Sequence, residues 1–263
     1  MIDIHTHLLP GVDDGSPNVE VSVRVLTTMG QEGVSVLVCT PHLRATEAAR
    51  IDETHHATVF STLVEHAPQR PKLLRGYEIM LDAPGTDLRP AHLHLGGSSA
   101  VLVEFPRMQV PVGAARELLR LRLSGVVPVL AHPERYVGCT IEMVEEWRGV
   151  GAVIQTDAAV LLGSGSMSLL ARRLLERGLV DCLASDNHGD HRSLAHAERW
   201  LLEIGATEQA RLLTHVNAER MLTGQPVLPV SPVPALDRGV LGRLRDLLLG
   251  RARPSRRPGA RRA

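Results

Sequence analysis

The chain has 263 residues, room for one large α/β domain with a sizeable core. Its 29 basic and 29 acidic residues cancel, which speaks against a nucleic-acid partner held through bulk charge. Three cysteines, Cys39, Cys139 and Cys182, are too few and too scattered for a disulfide framework, and no apolar run approaches the ~18–20 residues of a membrane span.

Residues 2–6 open the chain as a strand, followed by a helical pattern over 18–32 that Pro17 suits as a first position. Strand patterns then recur at 34–40, 72–77, 100–104, 126–131, 152–155 and 179–184. Amphipathic helical patterns separate most of them, at 46–66, 112–123, 140–148, 166–177 and 191–203. Continuously apolar strands alternating with helices predict a parallel sheet covered by helices. Seven strands in this rhythm suit a barrel or near-barrel, which periodicity alone does not separate from an open sheet. After about residue 226 the character changes. Pro226, Pro229, Pro232 and Pro234 mark a linker, 236–249 suits a short basic amphipathic helix, and 251–263 carries six arginines and no acid. That tail is expected to be disordered, with peripheral contact to an acidic membrane surface as its functional reading. No charged and apolar leader precedes the first strand, so a cytoplasmic location is expected.

The chemistry gathers at the ends of the strands. On a strand His5 and His7 share a face, and Asp14 lies in the Gly/Asp-rich turn beyond them. The second strand runs into Pro41-His42, the third into Gly76-Tyr77-Glu78 and the fourth into Glu104. The fifth ends His132-Pro133-Glu134-Arg135-Tyr136 and the last ends Ser185-Asp186-Asn187-His188. Parallel α/β folds place their active sites at the C-terminal ends of strands, so five histidines and four carboxylates are predicted to converge on one rim. Any one of them reads equally well as a solvated strand end. Crowded together without a cation, they would repel or desolvate one another. Mixed imidazole and carboxylate donors suit Mn²⁺, Fe²⁺ or Zn²⁺ without choosing among them.

In this order the motifs resemble the polymerase-and-histidinol-phosphatase (PHP) superfamily. More narrowly, Leu9-Pro10-Gly11-Val12-Asp13-Asp14-Gly15 and His132-Pro133-Glu134-Arg135-Tyr136 resemble the bacterial PHP-type protein tyrosine phosphatases of capsule and exopolysaccharide gene clusters. The likeness spans residues 1 to about 225 and implies a distorted (β/α)₇ TIM-like barrel with a cluster of up to three divalent ions, Mn²⁺ favoured. By resemblance, one ion takes His5, His7, Glu78 and Asp186, and a second takes Asp14, His42 and His188. A third takes Glu104 and His132 and shares Glu78. Three divalent ions against four carboxylates leave a surplus of about two positive charges, which suits a phosphate dianion.

The activity implied is attack of a metal-bridging hydroxide on phosphotyrosine, in the tail of a bacterial tyrosine kinase that controls polysaccharide export. Glu78 and Asp186 stand at the reacting centre, and Arg135, three residues past His132, is expected to clamp phosphate. The alternatives are a small-molecule phosphatase of the histidinol-phosphate type, a nuclease, or a non-catalytic metal-binding regulatory domain. Cysteine-dependent phosphatase chemistry is excluded. It requires Arg six residues after Cys, where this chain has Ala45, Glu145 and His188. His92 and His94 precede a strand and, with His55, His56 and His191, read as non-ligands. One departure stands out. The tyrosine phosphatase branch usually carries Asn-Ala-Gly-Ser where this chain has Thr156-Asp157-Ala158-Ala159-Val160.

Overall fold

The computed structural model describes residues 1–234. The expected amphipathic segment at 236–249 and the Arg-rich stretch at 251–263 lie outside them. Nine strands are present among the described residues, all paired in parallel. Three of them, β1 (Ile2–Thr6), β2 (Val36–Cys39) and β4 (Lys72–Arg75), form one sheet in the order β1-β2-β4. The other six are β3 (His42–Arg44), β5 (Glu78–Met80), β6 (Ala100–Glu104), β7 (Val127–Ala131), β8 (Val153–Asp157) and β9 (Cys182–Ala184). They form the second sheet, ordered β3-β5-β6-β7-β8-β9.

The expected strands at 34–40 and 72–77 thus end early, and short new strands begin just beyond them. Pro41, which has no N–H to give, separates β2 from β3. Gly76 separates β4 from β5 at a crowded point, where a Cβ would meet the Leu95 side chain at 2.8 Å. Hydrogen bonds carry across both breaks, from Gly76 N–H to Cys39 C=O at 3.0 Å and from Glu78 N–H to Pro41 C=O at 3.1 Å. The outer strands β1 and β9 form no ladder with one another, and their backbones pair only beyond the end of β9. There Thr6 bridges Asn187, and Asp186 N–H donates to His5 C=O at 3.0 Å. No closed ring of strand ladders exists among the described residues; the architecture is two parallel sheets whose outer strands touch at the C-terminal end.

Side chains from six strands share one interior cluster. Ile2, Ile4, Val38, Leu102, Val129 and Cys182 are among its members, and the small residues Ala100, Ala131 and Ala184 let the sheets curve around it. The opposite faces of the strands, with Val101, Val103, Leu130, Ile154 and Leu183, pack in the larger core beneath the helices. Of the helices, α1 (Val19–Gln31) is capped by the Asn18 side chain. The expected helix 46–66 divides into a 3₁₀ segment, Ala45–Arg50, and α2 (Glu53–His66). Asp52 accepts from His55 N–H and starts a new helix there.

Next come α3 (Ala114–Leu123), α4 (Ile141–Gly149), α5 (Ala158–Leu162), α6 (Ser166–Glu176) and α7 (Leu194–Glu203). The chain then turns through α8 (Thr207–Arg211), a π-helical turn (Leu212–Val216) and α9 (Asn217–Leu222). Neither α5 nor the helical run from 207 to 222 was expected from pattern. The first is only five residues long and apolar throughout, so it has no polar face to set a period. The proline-marked residues 226–234 lie against the domain. Val230 and Val233 are buried in the larger core, and Val233 N–H reaches Leu175 C=O at 3.3 Å. No helix of the described residues is long and apolar enough to cross a membrane.

Candidate metal centre

The first strand and the residue just past it deliver two buried imidazoles, His5 and His7, whose Nε2 atoms stand 3.2 Å apart. Each ring is turned by a bond on its other nitrogen. His5 Nδ1 lies 3.1 Å from Gln155 Oε1, and His7 Nδ1 lies 2.7 Å from Asp13 Oδ2. An N–H committed to those oxygens leaves Nε2 as the lone-pair nitrogen aimed inward, as metal-binding imidazoles require. Asp13 also accepts from the backbone N–H of Gly15 and His42. Gly15 is obligatory here: a Cβ would sit 2.1 Å from His7 carbonyl oxygen.

Glu78, the first residue of β5, lies at the middle of the cluster and is buried. Its Oε2 is 3.3 Å from His5, 3.4 Å from His7 and 3.0 Å from His42 Nδ1, and its Oε1 is 2.8 Å from His132 Nε2. Burial pushes its carboxyl up, but the surrounding imidazoles, His5 first, hold it well below the usual range. For His5, burial disfavours a charge; the Glu78 and Asp186 carboxylates outweigh that and push it up to about 9. Glu104, at the end of β6, is pushed up to about 7 by burial and by the neighbouring charge of Glu78. His132 and His188 are both lowered, chiefly by burial.

Two strand ends are strained. His132 and Asp186 hold φ of 32° and 48°, the left-handed region that non-glycine residues avoid. The bend lets Asp186 work in two directions. Its Oδ1 lies 3.2 Å from both His5 and His7 Nε2, while its Oδ2 accepts from Arg135 Nη2 at 2.6 Å and from Arg192 Nη1 at 3.3 Å.

All nine predicted ligands come together. Their donor atoms fall into four groups: His7, Asp14, His42 and His188; His5, Glu78 and His132; His5, His7 and Asp186; His42, Glu78 and Glu104. The groupings differ from those the resemblance implies: His7 also joins Asp14, His42 and His188, Glu78 falls outside the His5, His7 and Asp186 group, and Glu104 associates with His42 while His132 associates with His5, Glu78 being common to both. Asp14 is the most exposed member, and His42 and His188 reach it at 3.4 and 3.6 Å. The donor set suits divalent ions, and the approach of His5 to His7 supports this, since two imidazole nitrogens facing one another at that range ask for a cation between them. The second His-x-His stays apart. His94 is tied to the carbonyls of Ser98 and Leu88, and His92 faces Glu53.

Arg135 projects from the turn after His132 toward Asp157 and Asp186. Sequence reading missed Asp13, Gln155, Asp157 and Arg192. For Arg192 a signal existed, four residues after His188; Gln155 offered none beyond a polar residue in an apolar strand. A cavity of about 750 Å³ lies at the opposite end of the strands, lined by Ala100, Val127, Val153 and Asp181, away from this chemistry.

The family model of CpsB/CapC, capsular polysaccharide synthesis, matches residues 1–223. The chain belongs to the CpsB/CapC family. It is 28% identical over 258 residues to the tyrosine-protein phosphatase YwqE of Bacillus subtilis, covering 92% of this chain and 99% of that one. To the tyrosine-protein phosphatase CpsB of Streptococcus pneumoniae it is 31% identical over 206 residues, covering 72% and 83%. Among solved structures it resembles one from the work on YwqE and CpsB, described as unique metal-dependent tyrosine phosphatases. The TM-score is 0.75 at 26% identity, over 89% of this chain and 99% of that chain.

Proposed function

We propose that this chain is a metal-dependent protein tyrosine phosphatase acting on a bacterial tyrosine kinase in capsule or exopolysaccharide synthesis, from the cytoplasmic side. The two sheets, with their outer strands touching, are read as a distorted (β/α)₇ barrel of the PHP type. The observation that carries the proposal is the gathering of nine donor residues, Glu78 among them, with two guanidiniums, Arg135 and Arg192, on one oxygen of Asp186.

His5, His7, Glu78 and Asp186 would hold one ion. Asp14, His42 and His188 would hold a second, and Glu104 and His132, with Glu78 shared, a third; Mn²⁺ is favoured, with Fe²⁺ or Zn²⁺ compatible. Such ions supply an activated water and polarise phosphoryl oxygens. The chain's own residues do the rest. Gln155 and Asp13 orient His5 and His7. Arg135 makes no hydrogen bond through Nε or Nη1 among the described residues, so each of those N–H groups is left to meet a phosphoryl oxygen singly. Arg192 adds a second positive charge on the same flank. A phenolate leaving group, with a phenol pKa of about 10, departs without a strong general acid.

The test is a set of Mn²⁺-dependent initial rates on a phosphotyrosyl peptide, a phosphoseryl peptide and histidinol phosphate, beside H5A. A phosphotyrosyl preference that is lost in H5A and in chelator is the expected result. Preference for histidinol phosphate would overturn the substrate assignment. Bound metal with no turnover would point to a binding module.

A further inference from the structure

Asp157 is the last residue of β8 and the N-cap of α5, and it is buried. Each of its polar groups is committed. Oδ1 accepts from Ala159 N–H at 2.7 Å and Val160 N–H at 3.2 Å, and its own N–H donates to the buried Glu134 Oε1 at 2.7 Å. With Oδ1 locked by the helix start, Oδ2 is left facing Arg135 Nη2, to which it bonds. The same Nη2 reaches Asp186 Oδ2 at 2.6 Å. One nitrogen of the guanidinium is therefore pinned between two buried carboxylates, while Nε and Nη1 stay open among the described contacts.

We infer that Asp157 is a positioning residue for the phosphate clamp: it fixes Arg135 by one nitrogen and leaves the Nε and Nη1 N–H groups for the substrate phosphoryl group. The inference rests on the phosphatase reading. Geometry gives it content, because an arginine held only by Asp186 could swing about that single bond. A carboxylate on the second side removes that freedom before phosphate arrives, which lowers the ordering cost of binding.

The test is a double-mutant cycle of D157N and R135A, read on metal-loaded protein in two ways: kcat/KM for a phosphotyrosyl peptide, and calorimetric binding of inorganic phosphate. Asn keeps an oxygen to cap α5 but turns an amide N–H toward Arg135, donor against donor. D157N is expected to lower kcat/KM and weaken phosphate binding about tenfold, and by less than about twofold once Arg135 is already Ala. Equal losses in both backgrounds, or no loss from D157N, would overturn the positioning role. If R135A itself leaves phosphate binding unchanged, the clamp reading falls; if R135A weakens binding and D157N does not, only the positioning role falls. Metal content and melting midpoint are recorded for each variant, and D157S, which retains a capping oxygen, repeats the cycle should D157N fail to fold.

Discussion

Two arginines at opposite ends of the same strands use their guanidiniums in opposite ways. Arg148, beneath the sheet at the N-terminal end, spends its fork on one aspartate. Nη2 meets Asp181 Oδ1 at 2.7 Å and Nε meets Oδ2 at 3.2 Å, while Nη1 reaches Gly178 C=O. Asp181 takes a further bond from Ile154 N–H at 2.9 Å, so the pair is closed on itself and ties α4 to the edge of β8. Arg135, at the C-terminal end, gives a single nitrogen to two aspartates and keeps the rest. A closed fork cements structure, and an open one is available to a ligand. The same residue pair, arginine and buried aspartate, is told apart by which nitrogens remain, not by burial or charge.

That contrast sets the order of expected effects. The largest belongs to the centre of the C-terminal end. E78Q removes the one carboxylate shared by two donor groups, and loss of about 100-fold or more in phosphatase rate is expected, with reduced metal content by elemental analysis. Full metal content and near-native rate in E78Q would remove Glu78 from the centre.

R148A addresses the closed fork. It leaves Asp181 buried without its cation and is expected to cost about 2–3 kcal/mol in denaturant unfolding, discounted because Arg148 is partly exposed, while the rate per folded molecule is kept. A loss of rate without a loss of stability would erase the distinction between the two ends. R192A should act more weakly than either. Arg192 is shared between Asp190 and Asp186, so a fall of about threefold to tenfold in kcat/KM is expected, with little change in unfolding.

The smallest effect is at cysteine. Burial pushes the Cys139 and Cys39 thiols up to about 12, so each remains protonated at pH 8. Iodoacetamide at pH 8 should leave the rate unchanged, and alkylation should speed up only as pH climbs toward that value. Rapid inactivation at pH 8 would reopen thiol chemistry.

Much of the donor cluster was legible because its signals are local. A His-x-His on a strand, an Asp-Asp-Gly turn and histidines placed just after apolar runs follow from two-residue periodicity and from where parallel folds put their sites. The supporting contacts are not local. Gln155 reaches His5 from 150 residues away and Arg135 reaches Asp186 from 51, distances over which no pattern carries information. The association of Glu104 with His42 rather than with His132 likewise depends on how β3, β5 and β6 lie side by side.

By itself the sequence determined the alternation of strand and helix, the parallel sheet, and the residues that meet at its C-terminal rim. Apolar periodicity and strand-end chemistry are written residue by residue. Only the tertiary structure decided that Pro41 and Gly76 divide the strands into two sheets, that Asp186 bends to serve imidazoles with one oxygen and arginines with the other, and that Asp157 pins Arg135. Those outcomes depend on which backbone groups find partners across the fold, and a hydrogen bond is specified by both of its ends at once.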